Sequence, residues 1–434
     1  MFAPHDWFAA IAEQGLLDKL FGSTTQIQDC WNQVQDDDPK FHKNPIRKVR
    51  DWEKLFRAIE FHGDAAPHQK SDTLDTNSFR SLLNKLPVEM STLLLSCVPG
   101  ACKASRKICK DRGVEFIGDT DEVLGMFLKW SFTALYHGTH PRQDWMKKNF
   151  TDSYRRSVAG NYLDPVHKRR CIIWTAPADN EHNSLSYKLP HHGSNEPCMD
   201  CPANVTDLPW TDLGERALWR TCCYTAEDKF HLGYDHWLLS VPGFTPSTFG
   251  FDAMHCGELG PSGTAVANVF FDLTKKEFAG TKGARIAKLN EEIKAAYDEL
   301  GIKENTVGTL DYKHFSDAKG PYKHCPDLMH SVIKARQTRY LVPVAARLCR
   351  KFHSRGNVYS DLRLKCLESL ATSYDIVDQN ELFLGADSEK YQQCIHDFVV
   401  SYGKLAAIAS YREEIQWKVR PKLHYVAHIG FNAR

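Results

Sequence analysis

The chain has 434 residues, 42% of them hydrophobic, enough for two or three globular units with cores of their own, which excludes a disordered polypeptide. Its 55 basic and 54 acidic residues balance to a formal net charge of +1, so no global field draws it to nucleic acid or a membrane surface. No stretch reaches the roughly eighteen apolar residues that a bilayer span needs, and the 14 cysteines are scattered, several in apolar runs at Cys97, Cys171 and Cys349, which points to reduced thiols in a nuclear or cytoplasmic setting and away from secretion.

The N-terminal MFAPHDWFAAIAEQGLLDKLFG reads as an amphipathic helix broken by Asp6, Glu13 and Asp18, without the basic start of a signal peptide. Residues 1–50 form a helical adapter, and a core segment is expected over 51–180. Its first strand rises from Leu55 to Phe61, where Ile59 and Phe61 alternate against Glu60 and His62, and ends in Gly63-Asp64. Phe79 to Leu86 is a second strand or a short helix, and Met90 to Val98 is a buried strand closed by Pro99-Gly100. Asp119, Thr120 or Asp121 caps a helix whose apolar stripe runs through Val123, Phe127, Phe132 and Leu135 and stops at Gly138. Cys171 to Thr175 is a fourth, buried strand; Pro177 breaks it, and Asp179 follows.

Residues 181–248 lack periodicity and read as a Cys/His-rich insertion. Cys198-x2-Cys201 is half of a zinc site, and Cys222, Cys223 and His231 lie at a plausible separation to complete it, with His191 or His192 as alternatives. Bound Zn²⁺ would supply folding free energy that so small an apolar content cannot; the bland alternative is a pair of reduced loop thiols. Segment 249–275 carries Asp252 and His255 at i and i+3 of a helix, a pairing that a local hydrogen bond would also explain. Residues 276–416 are a helical region, with helices through Ile286 to Leu300, Thr338 to Phe352, Leu362 to Tyr374 and Tyr391 to Tyr411. Residues 417–434, beginning WKVRPKLHYVAHI, start a final core segment.

Strand, strand, strand, helix, strand, with acids after the first and fourth strands, is the order of a ribonuclease-H-like core, an α/β fold whose mixed sheet sets the first and fourth strands side by side. Asp64 and Asp179 would then converge. Paired carboxylates are unfavourable without a cation between them, and hard oxygen ligands suit Mg²⁺ or Mn²⁺. Two such ions serve in-line displacement at a phosphodiester.

Asp64 in IEFHGDAAPHQKSD, Asp179 in IIWTAPADNEH, the following LPHHGSNEPCMDC, and Asp252-Ala-Met-His255 together resemble the ordered landmarks of eukaryotic DDE/D cut-and-paste transposases, nearest to the CACTA and Plavaka-like groups and their domesticated relatives. The resemblance runs from about Leu55 to Ile429 and includes a Lys-x-His-x3-His element at Lys422, His424 and His428. It implies a metal-dependent DNA nucleotidyltransferase with Asp64 and Asp179 as catalytic metal ligands, and a final acid beyond His428. The sequence reaches Arg434 before such an acid, so a truncated or catalytically dead member is expected. Asp327-Leu328-Met329-His330 repeats the D-x-x-H string and is taken as background.

DNA is the implied partner, and homo-oligomers are compatible with it. Phosphate contacts would come from Lys103, Arg106 and Lys107, from Lys334, Arg336 and Arg339, and from Lys422, His424 and His428. A second class of reading is a non-catalytic, transposon-derived DNA- or protein-binding domain that keeps the fold and a structural zinc. Metal-dependent cleavage separates the two.

Overall fold

The alternation of Ile59 and Phe61 against Glu60 and His62 builds the central strand of the first of two compact units, Met1–Leu189 with Tyr224–Gly250; the second is Pro190–Cys223 with Phe251–Arg434. The structure, a computed structural model, describes residues 2–34, 38–69, 72–84, 86–113, 116, 118–315, 325–379 and 385–433.

In the first unit α1 (Pro4–Glu13) starts on a proline, and α2 (Thr24–Gln33) starts on a capping box between Ser23 and Gln26. Strands β1 (Phe56–Gln69), β2 (Asp72–Ser81) and β3 (Leu93–Pro99) form an antiparallel meander. Then come α3 (Thr120–His137), α4 (Ser153–Val158), β4 (Arg170–Ala178), α5 (Asn180–Leu185) and the short β5 (Phe249–Phe251). The sheet is mixed, in the order β3-β2-β1-β4-β5, and β4 lies parallel to β1.

Three local expectations change. Asp64 lies inside β1, paired with Thr76, because the hairpin with β2 continues well past the apolar alternation. The second strand is Asp72–Ser81, ahead of the expected 79–86: backbone pairing to β1 carries a polar run that periodicity could not mark. Pro177 does not end β4, since a proline removes only one ladder donor.

The apolar face of the sheet is closed by aromatic rings. Trp31 and Phe41 both lie 4.9 Å from Trp174, and Trp31 Nε1 donates to Phe56 O at 2.9 Å. On the α3 side Phe132 meets Phe61 edge-on at 5.7 Å and Phe79 at 6.0 Å. Such edge contacts each add about 0.5–1.5 kcal/mol beyond area burial.

The second unit is helical: α6 (Pro261–Asp272), α7 (Lys282–Leu300), α8 (Ala335–Lys351), α9 (Val358–Gln379), α10 (Ala386–Tyr411) and α11 (Pro421–Phe431). Every residue of α6 is buried, and α8 and α9 pack against it. At its end Asp272, wholly buried, accepts from Tyr359 OH at 2.7 Å and from Gln416 Nε2 at 3.0 Å, and pairs with Arg363 of α9 at 3.3 Å. The stretch that reads as one Cys/His insertion is divided: its middle part, Pro190–Cys223, belongs to the helical unit, and the flanking residues 181–189 and 224–248 to the unit with the sheet.

Candidate metal centre

Helix α11 begins on Pro421, whose fixed φ suits the first helical position, and buries Leu423, Tyr425, Val426 and Ala427. The same burial turns His424 and His428, at i and i+4, inward with no exposure. Cys198 and Cys201 face them. One ligand atom from each of the four lies within 4.8 Å of the others, all four side chains are buried, and the group could hold a metal ion. Cys201 Sγ is 3.3 Å from His424 Nε2 and 3.2 Å from His428 Nε2, and the two Nε2 atoms are 3.2 Å apart.

The cysteine turn is tied to α11 at both ends. Tyr425 OH donates to Pro197 O at 2.8 Å, and Asn432 Nδ2 donates to Asp200 Oδ2 at 3.0 Å. Asp200 N–H points at Cys198 Sγ, 3.3 Å away, which stabilises a negative sulfur, and the Trp219 ring covers His424 at 4.4 Å.

The charge balance follows. The thiol hydrogen bond from Cys198, with those of His424 and His428, lowers Cys201 to about 3, while burial drives Cys198 well above the usual thiol value; the pair therefore carries its negative charge on Cys201. His428 rises to about 9: burial works against its charge, but hydrogen bonds to Cys201 and Cys223 and the charge of Asp200 outweigh it. Burial lowers His424. A sulfur and two imidazole nitrogens thus converge on one point, and only a shared proton or a cation makes that arrangement favourable.

His424 and His428, expected as DNA contacts, are too deeply buried to touch a phosphate and instead face the thiols. The expected partners Cys222, Cys223 and His231 lie outside the four-residue cluster: Cys222 is exposed, Cys223 bonds Trp219 O at 3.7 Å, and His231 pairs with Glu227 at 3.0 Å in the sheet unit. Sequence reasoning paired residues close in the chain. The overlooked signal is the H-x3-H spacing on an apolar helix, which is ligand spacing in its own right.

In the sheet unit β1 and β4 are neighbours, with Glu60 opposite Thr175; counting four residues on from that pair along both strands leads to Asp64 and Asp179. Asp179 caps α5, its Oδ1 accepting from His182 N–H at 2.6 Å. The His182 ring lies on Gly63, where a Cβ would fall 2.2 Å from Nε2. Burial lowers His182, opposed first by the charge of Asp179. Among the described residues, no cluster of three or more ligand side chains includes either acid.

Asp252 and His255 make the local bond, Oδ2 to Nδ1 at 2.8 Å, His255 standing in a π-helical turn, Met254–Glu258, ahead of α6. Asp327 accepts from Thr264 Oγ1 at 3.0 Å and from Arg420 at 2.6 Å, a structural role. Among the basic candidates Lys107, Lys334 and Arg336 are exposed, Arg106 lies over the Phe116 ring, Lys103 pairs with Asp75 and Asp121, Arg339 pairs with Asp378 at 2.6 Å, and Lys422 Nζ donates to Leu259 O at 3.0 Å. No helix of the described residues is long and apolar enough to cross a membrane. No family model, curated protein or solved structure matches the chain.

Proposed function

We propose that this chain is a transposase-like DNA nucleotidyltransferase on a ribonuclease-H-like core, with Asp64 and Asp179 as its metal-binding carboxylates. The observation that supports the reading is the parallel pairing of β1 with β4, whose register runs to Glu60 opposite Thr175, four residues before each acid. The carboxyl side of adjacent parallel strands is where α/β sheets hold reactive groups. Asp64 and Asp179 would hold Mg²⁺ or Mn²⁺, which would supply Lewis acidity for displacement at a phosphodiester. The chain's own part is to hold the two carboxylates: Asp179 is fixed by the His182 amide and Asp64 by the ladder with Thr76.

In the helical unit we assign Zn²⁺, in a structural role, to Cys198, Cys201, His424 and His428. Tetrahedral zinc with sulfur at about 2.3 Å and nitrogen at about 2.0–2.1 Å sets neighbouring ligand atoms about 3.3–3.8 Å apart, and the separations of 3.2 and 3.3 Å lie at that edge. With all four positions taken by protein, nothing is left for a substrate, which supports a structural metal over a catalytic one.

One observation favours the non-catalytic alternative, a DNA- or protein-binding domain: among the described residues no group of three or more ligand side chains includes Asp64 or Asp179. Mn²⁺ binding followed by electron paramagnetic resonance, with cleavage of a plasmid substrate in parallel, decides between them. Mn²⁺ bound by the wild type and lost in both Asp64→Asn and Asp179→Asn supports the acid site, and cleavage lost with it supports the enzyme. Equal Mn²⁺ binding in all three proteins sinks both.

A further inference from the structure

A second group of ligand atoms stands apart from both sites described above. His5 of α1 is wholly buried, His140 is 7% exposed, and Asp6 is beside them; one ligand atom from each lies within 4.8 Å of the others. All three belong to the unit with the sheet.

The tautomer of His5 is set by its neighbours. Arg155 Nη1 lies 3.2 Å from His5 Nε2, and a guanidinium only donates, so Nε2 carries the lone pair. The ring proton is then on Nδ1 and is given to the Ser131 hydroxyl at 2.6 Å; Ser131, also wholly buried, takes the His5 backbone N–H at 3.1 Å as well. A metal-ligating histidine is held in just this way, one ring N–H on a fixed acceptor and the other nitrogen free to coordinate. Burial lowers His5 to about 4, so the ring stays neutral. Its Nε2 is 3.4 Å from Asp6 Oδ1. His140, anchored through its backbone to Asn161 O at 2.8 Å, has a buried Nδ1 with no hydrogen-bond partner.

What lies among these atoms is a cation supplied by the chain itself. Arg155, on the six-residue helix α4 and 29% exposed, donates to Asp6 Oδ1 at 2.9 Å as well as to His5. Its guanidinium meets the same lone pairs that a divalent ion would.

We propose that His5, Asp6 and His140 form a binding site for a divalent transition metal, and that Arg155 is its internal competitor, pairing with Asp6 when no metal is bound. Two imidazoles and one carboxylate suit Zn²⁺, Co²⁺, Ni²⁺ or Fe²⁺. Binding requires the Arg155 side chain to leave Asp6 for solvent, which its position on a short helix allows.

The test is Co²⁺ titration of the metal-stripped full chain, followed by visible absorption and by bound cobalt per chain. Coordination at Cys198 and Cys201 gives an intense sulfur charge-transfer band, whereas the nitrogen and oxygen site adds only weak bands. The expected result is an equivalent without charge-transfer absorption that survives in Cys201→Ser and in Asp64→Asn, is lost in Asp6→Asn and His140→Ala, and is held at least about tenfold more tightly in Arg155→Gln. The last variant keeps the test decisive if His140→Ala fails to fold. The proposal is overturned if Arg155→Gln binds cobalt no more tightly than the wild type, or if Asp6→Asn keeps every equivalent; Arg155 and Asp6 are then an ion pair only.

Discussion

Gly63 has no room for a side chain, because His182 fills the space where one would stand. We expect Gly63→Ala to cost about 1–3 kcal/mol, the usual penalty for overpacking, and to weaken Mn²⁺ binding by pushing the Asp179 cap away from β1. Urea denaturation checks the first effect. Gly283→Ala, where a Cβ meets nothing within 4 Å in the first turn of α7, is the control and is expected to be neutral or slightly stabilising. His236, close by, carries a pH signature. Burial, aided by the charges of His182 and Lys188, lowers it from an ordinary 6.5 to about 3, and its Nδ1 accepts from Leu238 N–H at 3.3 Å. Below pH 6.5 the unfolded chain takes up a proton that the folded one refuses until about 3, so stability is complete above 6.5 and falls on acidification. The slope is at most about 1.4 kcal/mol per pH unit from this residue. Urea midpoints at pH 7 and 5 in wild type and His236→Gln measure it, with a shallower fall expected in the variant.

At the level of elements, α6 and α9 are joined by a buried ion pair, Asp272 with Arg363, 0% and 3% exposed. Removing one partner of such a pair strands the other, at about 3–5 kcal/mol. Asp272→Ala is therefore expected to lower the denaturation midpoint of the helical unit far more than Lys404→Ala, which breaks an exposed pair with Glu215. Elements with strong periodicity were readable from sequence: the helices ending at Gly138 and Gly301 lie close to where their stripes and C-terminal glycines put them, and the α10 helix ends at Tyr411 as its pattern predicts. The polar β2 strand was not, since backbone pairing leaves no mark on side-chain pattern. Asp64 and Asp179 were singled out from the expected strand order, of which the structure shows that β1 and β4 are adjacent. The candidate metal cluster was half legible: Cys198 and Cys201 advertise themselves by spacing, but the histidines that face them are 223 and 227 positions away. No local rule spans that distance, and the inward turn of His424 and His428 follows from the tertiary packing of α11.

For the whole molecule, division into two units makes all-or-none unfolding unexpected. All four residues of the Cys/His cluster belong to the helical unit, so removing the proposed zinc with a chelator is expected to lower that unit's transition more than the other's. Calorimetry with and without a strong zinc chelator tests this: two transitions, one of them moved by several degrees. Movement of both by the same amount would refute independent units, and movement of neither would refute a structural metal.

The separation of 223 positions between Cys201 and His424 has a further consequence, for biosynthesis. A ribosome adding about 5–20 residues per second delivers the cysteines roughly 10–45 s before the histidines. Throughout that interval the thiols have no imidazoles to share an ion with. If the four residues hold the proposed zinc, a nascent chain must keep Cys198 and Cys201 reduced and clear of stray metals until α11 emerges, and a ribosome-bound chain halted before His424 would hold at most half of the ligands.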